Sequence, residues 1–172
     1  STLSGSFTIE GPVVKDHTAI MASFRHSWKS PILTTFNKGL DPNFYDAHFK
    51  VTQLINKNNK LMASFYSGRD ILSKTISNTE NLNKWGNLIG SLSWNKVISS
   101  RSFINTSINM SRYHNLGAYK YTLFEEDNDD DEDNDIELES GSVGTFTSTA
   151  QYNIKSQAEI FLNHKTKLNA GI

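Results

Sequence analysis

In residues 44–70, FYDAHFKVTQLINKNNKLMASFYSGRD, apolar and polar side chains alternate on both sides of the tight polar turn Asn56-Lys57-Asn58-Asn59. Before the turn, Tyr45, Ala47, Phe49, Val51 and Ile55 fall on one face, interrupted only by Gln53, with Asp46, His48, Lys50 and Thr52 opposite. After it, Leu61, Ala63 and Phe65 alternate with Ser64, Tyr66, Gly68 and Asp70. Strand side chains point to opposite faces with period two, so this hairpin has one apolar and one wet surface. Each strand reads as about ten residues or more, against about five or six in a typical soluble domain. Long strands of this two-sided kind are what a transmembrane β-barrel requires.

Composition agrees with that reading where it discriminates. The chain of 172 residues is 37% hydrophobic, yet aromatics make up 11% of it, more than a disordered protein would carry. No run of about twenty apolar residues exists to form a transmembrane helix. A membrane barrel hides inside soluble-looking statistics because only alternate residues face lipid. There is no cysteine, which separates few possibilities. No signal peptide opens the sequence, so the expectation is a processed chain or an internal piece of a longer one. The net charge of −1 conceals a partition: eleven of the 18 acidic residues lie between Glu125 and Glu139. Elsewhere basic residues prevail, so the charge needs an explanation by position.

The rest of the chain repeats the pattern. A strand over 4–13 sets Gly5, Phe7, Ile9 and Gly11 against Ser6, Thr8 and Glu10, and Pro12 either demotes it from a regular central strand or marks where it leaves the ladder. A turn at Lys15-Asp16-His17 leads to a strand over 18–28, where Ile20, Ala22 and Phe24 oppose Ser23, Arg25 and Ser27. Strands over 85–97 and 104–111 flank a turn at Ser99-Ser100-Arg101. They place Leu88, Leu92, Trp94, Ile104, Ile108 and Met110 on the apolar face and Asn87, Ser91, Asn105, Ser107 and Asn109 on the polar one. A strand over 151–162 follows, then a turn at Asn163-His164-Lys165-Thr166, and a last strand begins at Lys167 and is cut short. Long loops are expected at 29–43, 71–84 and 115–149. Short turns then alternate with long loops, the asymmetry of a membrane barrel's periplasmic and extracellular ends.

At GSFTIEGPVVKD (5–16), FYDAHFKVTQLINKNNKLMASFYSGRD (44–70) and WGNLIGSLSWNKVISSRSFINTSINMSRY (85–113), the chain resembles the TonB-dependent outer-membrane receptors of the Bacteroidetes kind. The order of pieces is similar: an EGP turn ending in KD, then FYD leading to a strand and an N-x-x-N turn, a G-R-D stretch, and WGN opening a strand that reaches W-N. The tail AQYNIKSQAEIFLNHKTKLNAGI (150–172) fits the same scheme. The resemblance implies an all-β fold, an antiparallel transmembrane barrel. About eight strands of an expected 22 lie in residues 1–172, as part of one barrel domain without the plug and the C-terminal strands. It implies a multi-pass protein of the cell outer membrane that imports a bulky nutrient. Its implied partners are outer-membrane lipid and lipopolysaccharide, TonB through the missing N-terminal region, and a surface lipoprotein, with no nucleic acid among them. The alternatives are a receptor-like barrel serving as a structural subunit of a larger outer-membrane assembly, and a soluble all-β binding module. Neither the substrate nor its binding residues are named by the sequence.

Candidate chemistry is sparse. The acidic run is no EF-hand: counted from Asp127, the sixth position is Glu132 rather than Gly and the twelfth is Leu138 rather than Glu. It reads as a solvated, self-repelling surface loop, with a loosely held divalent cation or a basic partner as alternatives. His17, His26, His48, His114 and His164 show no ligand spacing, and His48 reads as a hydrogen-bonding residue of the lumen. Arg69 and Asp70 read as an ion pair at a strand end, with a pore-lining role as the alternative. Trp28, Trp85 and Trp94, with Tyr45, Tyr66 and Tyr113, read as interfacial girdles. No nucleophile elbow, phosphate loop or catalytic carboxylate pair appears, so neither enzyme activity nor a catalytic, metal or cofactor site is expected.

Overall fold

The computed structural model describes residues 4–28, 40–76, 78–123 and 139–172. Among them every regular element is a strand: β1 (Ser4–Val14), β2 (Thr18–Ser27), β3 (Leu40–Asn56), β4 (Asn59–Ile76), β5 (Thr79–Ser99), β6 (Ser102–Leu123), β7 (Glu139–Phe161) and β8 (Lys167–Gly171). They form one antiparallel sheet in sequence order, β1 through β8, with each strand beside its chain neighbours. β1 and β8 do not pair with each other. Among the described residues no hydrophobic side chain is buried, so this layer has no core of its own.

The strands are longer than the sequence pattern implies. β3 to β7 hold 17, 18, 21, 22 and 23 residues. The long loop expected over 71–84 is strand instead: the β4–β5 ladder continues from Ile71↔Lys84 to Ile76↔Thr79. Much of the loop expected over 115–149 is also strand, paired from Asn115↔Thr147 to Leu123↔Glu139. The expected loop over 29–43 gives up its last residues to β3. Apolar alternation fades in these parts, but the backbone ladder needs no apolar face, and Thr and Tyr suit strands. The remainder of two of these loops, 29–39 and 124–138, lies outside the described residues, as does the acidic run up to Glu139.

The four tight turns at the other end of the sheet, β1–β2, β3–β4, β5–β6 and β7–β8, draw on two devices, each found in three of the four. A polar side chain accepts the amide two residues on: Asn56 Oδ1 from Asn58 at 3.0 Å, Ser99 Oγ from Arg101 at 3.2 Å, and Asn163 Oδ1 from Lys165 at 2.8 Å. The first turn instead uses Asp16 in the left-handed region (φ 61°), a conformation that Asp tolerates, with the His17 amide bonded to the Val14 carbonyl at 3.1 Å. In addition, the first strand of each of the first three hairpins bulges just before its turn, between Pro12 and Val14, Leu54 and Asn56, and Val97 and Ser99. The extra residues are Val13, Ile55 and Ile98, all more than half exposed. Ile55 is therefore a bulge residue rather than an ordinary member of the apolar face, and Pro12, expected to end the ladder, stays in it opposite Ala19 while β1 runs on past the bulge to Val14. Bulges of this kind sharpen twist at sheet rims.

Candidate functional site

The register stacks the alternation of separate strands into continuous rows. One row on the apolar face runs Ile9, Ala22, Phe49, Phe65, Gly90, Met110, Tyr152, and the next runs Gly11, Ile20, Val51, Ala63, Leu92, Ile108, Ile154. Leu88, Trp94 and Ile104 share this face, and Asn87, Ser91, Asn105, Ser107 and Asn109 share the other, as the sequence pattern expects. The apolar side is open to its surroundings: Phe65 is 45% exposed, Leu92 44%, Ile108 53% and Ile154 71%.

Toward the tight turns the apolar rows give way to polar groups that satisfy one another. Thr18 Oγ1 donates to Gln53 Oε1 at 2.6 Å, and the Thr106 and Ser156 hydroxyls pair at 3.0 Å. Trp94 Nε1 donates to Asn59 Oδ1 at 3.1 Å, and Lys96 Nζ lies 5.5 Å from the Trp94 ring centroid. Indole and ammonium are thus held where the apolar band ends. Trp28 also lies on this face, its ring against the space over Gly5, and Tyr45 belongs to it too. Trp85, Tyr66 and Tyr113 do not: they project from the polar face, paired with Asp70, His48 and Asn87 respectively. Half of the expected aromatic girdle is therefore on the wrong side, because residue type says nothing of facing.

The polar face is a surface of hydroxyls, amides and a few charges. Ser64 and Ser91 hydroxyls meet at 2.9 Å, Thr8 Oγ1 donates to Ser23 Oγ at 3.0 Å, and Asn109 Nδ2 donates to Ser107 Oγ at 3.3 Å. Arg25 Nε donates to Asp46 Oδ2 at 2.6 Å while its guanidinium stacks 5.1 Å from the Phe44 ring centroid. Beside them Ser27, only 2% exposed, accepts the Phe44 amide at 2.7 Å where the β2–β3 ladder stops. His48 faces Tyr66 edge-on at 6.4 Å, which puts it on this surface as expected. Near the tight turns, Asn95, Val97, Phe103, Asn105, Gln157 and Glu159 line a depression of about 230 Å³, and Lys167 bridges to Glu159 at 2.8 Å.

The remaining histidines are dispersed. His17 Nδ1 lies 3.2 Å from the Leu54 carbonyl, His26 stacks with Phe24, His114 covers Gly86, and His164 sits in the β7–β8 turn. Among the described residues no three His, Cys, Asp or Glu come together to hold a metal. Arg69 and Asp70 do not pair: they sit within β4, and as strand neighbours they point to opposite faces. Arg69 instead joins Lys84, Arg112 and His114 on the apolar side, just beyond the apolar rows and around Gly86. Sequence alternation did not reveal this grouping, which depends on the register of three strands. Set against protein-family models, characterised proteins and solved structures, the chain matches none of them.

Proposed function

We propose that residues 1–172 are part of the barrel wall of a TonB-dependent outer-membrane receptor of the Bacteroidetes kind, a 22-stranded protein that imports a bulky nutrient. The observation that carries this reading is a single antiparallel layer, without a core, whose apolar rows lie on an open face. A soluble sheet of this kind would need a second layer against those rows. The apolar band also slants across the ladder. It takes in Phe7, Ile9 and Phe24 in β1 and β2, but Tyr152, Ile154, Ala158 and Ile160 in β7, and the row of Phe7 reaches Arg112 by β6. The tight turns step in the same sense: from the row through Thr18, Gln53, Trp94 and Ser156, β3 runs on to Asn56, β5 to Ser99 and β7 to Phe161. Tilted strands crossing a flat slab require such a slant. From Gly86 to Lys96, β5 passes from one polar margin to the other, close to the roughly 9–11 residues that span a bilayer in a tilted strand. On this reading the polar face lines a wet lumen and the tight turns are periplasmic.

The absence of cysteine allows a direct test in cells. Asn78→Cys, in the β4–β5 turn, should react with a membrane-impermeant maleimide on intact cells. Lys57→Cys, in the β3–β4 turn, should react only after the outer membrane is breached, and Leu92→Cys should resist in both cases. Equal labelling of all three, or recovery of the protein in the soluble fraction, would overturn the reading.

A further inference from the structure

Around Gly86 the register gathers basic side chains from three strands. Arg69 and His114 flank it in the same row, Lys84 precedes it on the same face of β5, and Arg112 lies on the diagonal in β6. Strand spacing and pleat put their backbones within about 5–8 Å of the glycine. Gly86 is itself buried, because the His114 ring lies over it: a Cβ there would meet Cε1 at 2.6 Å and Nε2 at 2.8 Å. The imidazole thus forms a floor, and the cations stand around it, with Arg69 and Arg112 exposed. Among the described residues no carboxylate forms an ion pair with Arg69, Lys84 or Arg112; the Arg112 Nε donates to Ser148 Oγ at 3.3 Å. Like charges gathered without a counter-charge among the described residues call for an anion. The level decides which anion. Leu88, next to Gly86 on the same face, begins the apolar rows, so the cluster stands where acyl chains would end and headgroups begin. Guanidinium groups suit a phosphate, which they grip through paired N–H donors.

We propose that Arg69, Lys84, Arg112 and His114 form a binding site for the headgroup phosphate of an anionic lipid, on the side of the sheet away from the tight turns. The site rests on the membrane-barrel reading above. Leu88 and Met110 beside it supply the surface for the lipid's chains, and Gly86 leaves room for the headgroup to approach the sheet. This fixes the depth at which the wall sits, because the phosphate level and the end of the apolar rows coincide.

The test uses the intact protein extracted from its own membrane, with native mass spectrometry reading bound lipid. Phosphatidylglycerol should be retained in preference to phosphatidylcholine. Removing two cations, in Arg69→Gln/Arg112→Gln, should weaken its retention about thirtyfold, from the usual contribution of a surface cation to anionic-lipid attraction. Lys50→Gln, on the polar face, should leave retention unchanged. If the double variant does not accumulate, each single variant should show about a fivefold loss on the same scale. Equal retention of the two lipids, or unchanged retention in the variants, overturns the site. Displacement of the lipid by millimolar inorganic phosphate overturns it as well, by showing a site for free anions. Recovery of the protein outside the membrane fraction would instead overturn the barrel reading beneath it.

Discussion

Leu92 and Asn105 show how much a single position depends on facing. Leu92 stands in the middle of the apolar rows between Ala63 and Ile108, while Asn105 sits opposite Asn95 on the polar face. If the proposed barrel reading holds, Leu92→Arg should cost about 2–4 kcal/mol of folding stability in a bilayer, the range for a cation near the midplane of a barrel wall. Asn105→Arg should cost far less, and equal losses in urea titrations of protein folded into vesicles would contradict the facing. Two glycines make a second comparison. A side chain at Gly86 would meet the His114 ring and the Gly68 carbonyl at 2.9 Å, whereas Gly90 has nothing within 4 Å. Gly86→Val should therefore destabilise by about 1–3 kcal/mol through overpacking, and Gly90→Val by less. The same vesicle titrations decide it, and the reverse order would refute the packing described around Gly86.

At the scale of elements, alternation located every strand but not its length. Where one face is apolar, as in 85–97 and 151–160, the two-residue period is legible in the sequence. Beyond the band both faces are polar, so the same period carries no hydropathy signal and the stretch reads as a loop. The ladder holds there through backbone hydrogen bonds, which need no particular side chain; even Pro42, which lacks only the donor, stands in it opposite Leu72. Hydrogen exchange checks this directly. Amides of 71–76 and 79–84 should exchange slowly, like those of paired strands, because their partners run from Ile71↔Lys84 to Ile76↔Thr79. Exchange at the rate of an open chain would restore the loop. The bulges at Val13, Ile55 and Ile98 were equally hidden, since a bulge shows only when two strands are set side by side.

For the molecule as a whole, the edges matter most. β8 and Ile172 after it cover only Ser156 to Phe161 of β7, which leaves the rest of that 23-residue strand with an open edge, and β1 is open along its outer side. Unpaired backbone groups in lipid cost several kcal/mol each, so on the proposed barrel reading a sheet with two such edges is not a stable membrane species. Residues 1–172 expressed alone and refolded in detergent should associate into larger species and remain open to protease. A monodisperse, protease-resistant monomer on size-exclusion chromatography would contradict this.

The sequence alone determined the all-β class of the fold, the place of each short turn and which residues of each central strand share a face. It could do so because strand geometry is local: a period of two and a polar turn need no knowledge of the neighbouring strand. Only the tertiary structure decided how long the strands are and where the bulges fall. It also separated Trp94 from Trp85, parted Arg69 from Asp70, and drew Arg69, Lys84, Arg112 and His114 together around one glycine. These are properties of register, which hydrogen bonds between distant segments set, and no single strand carries that information.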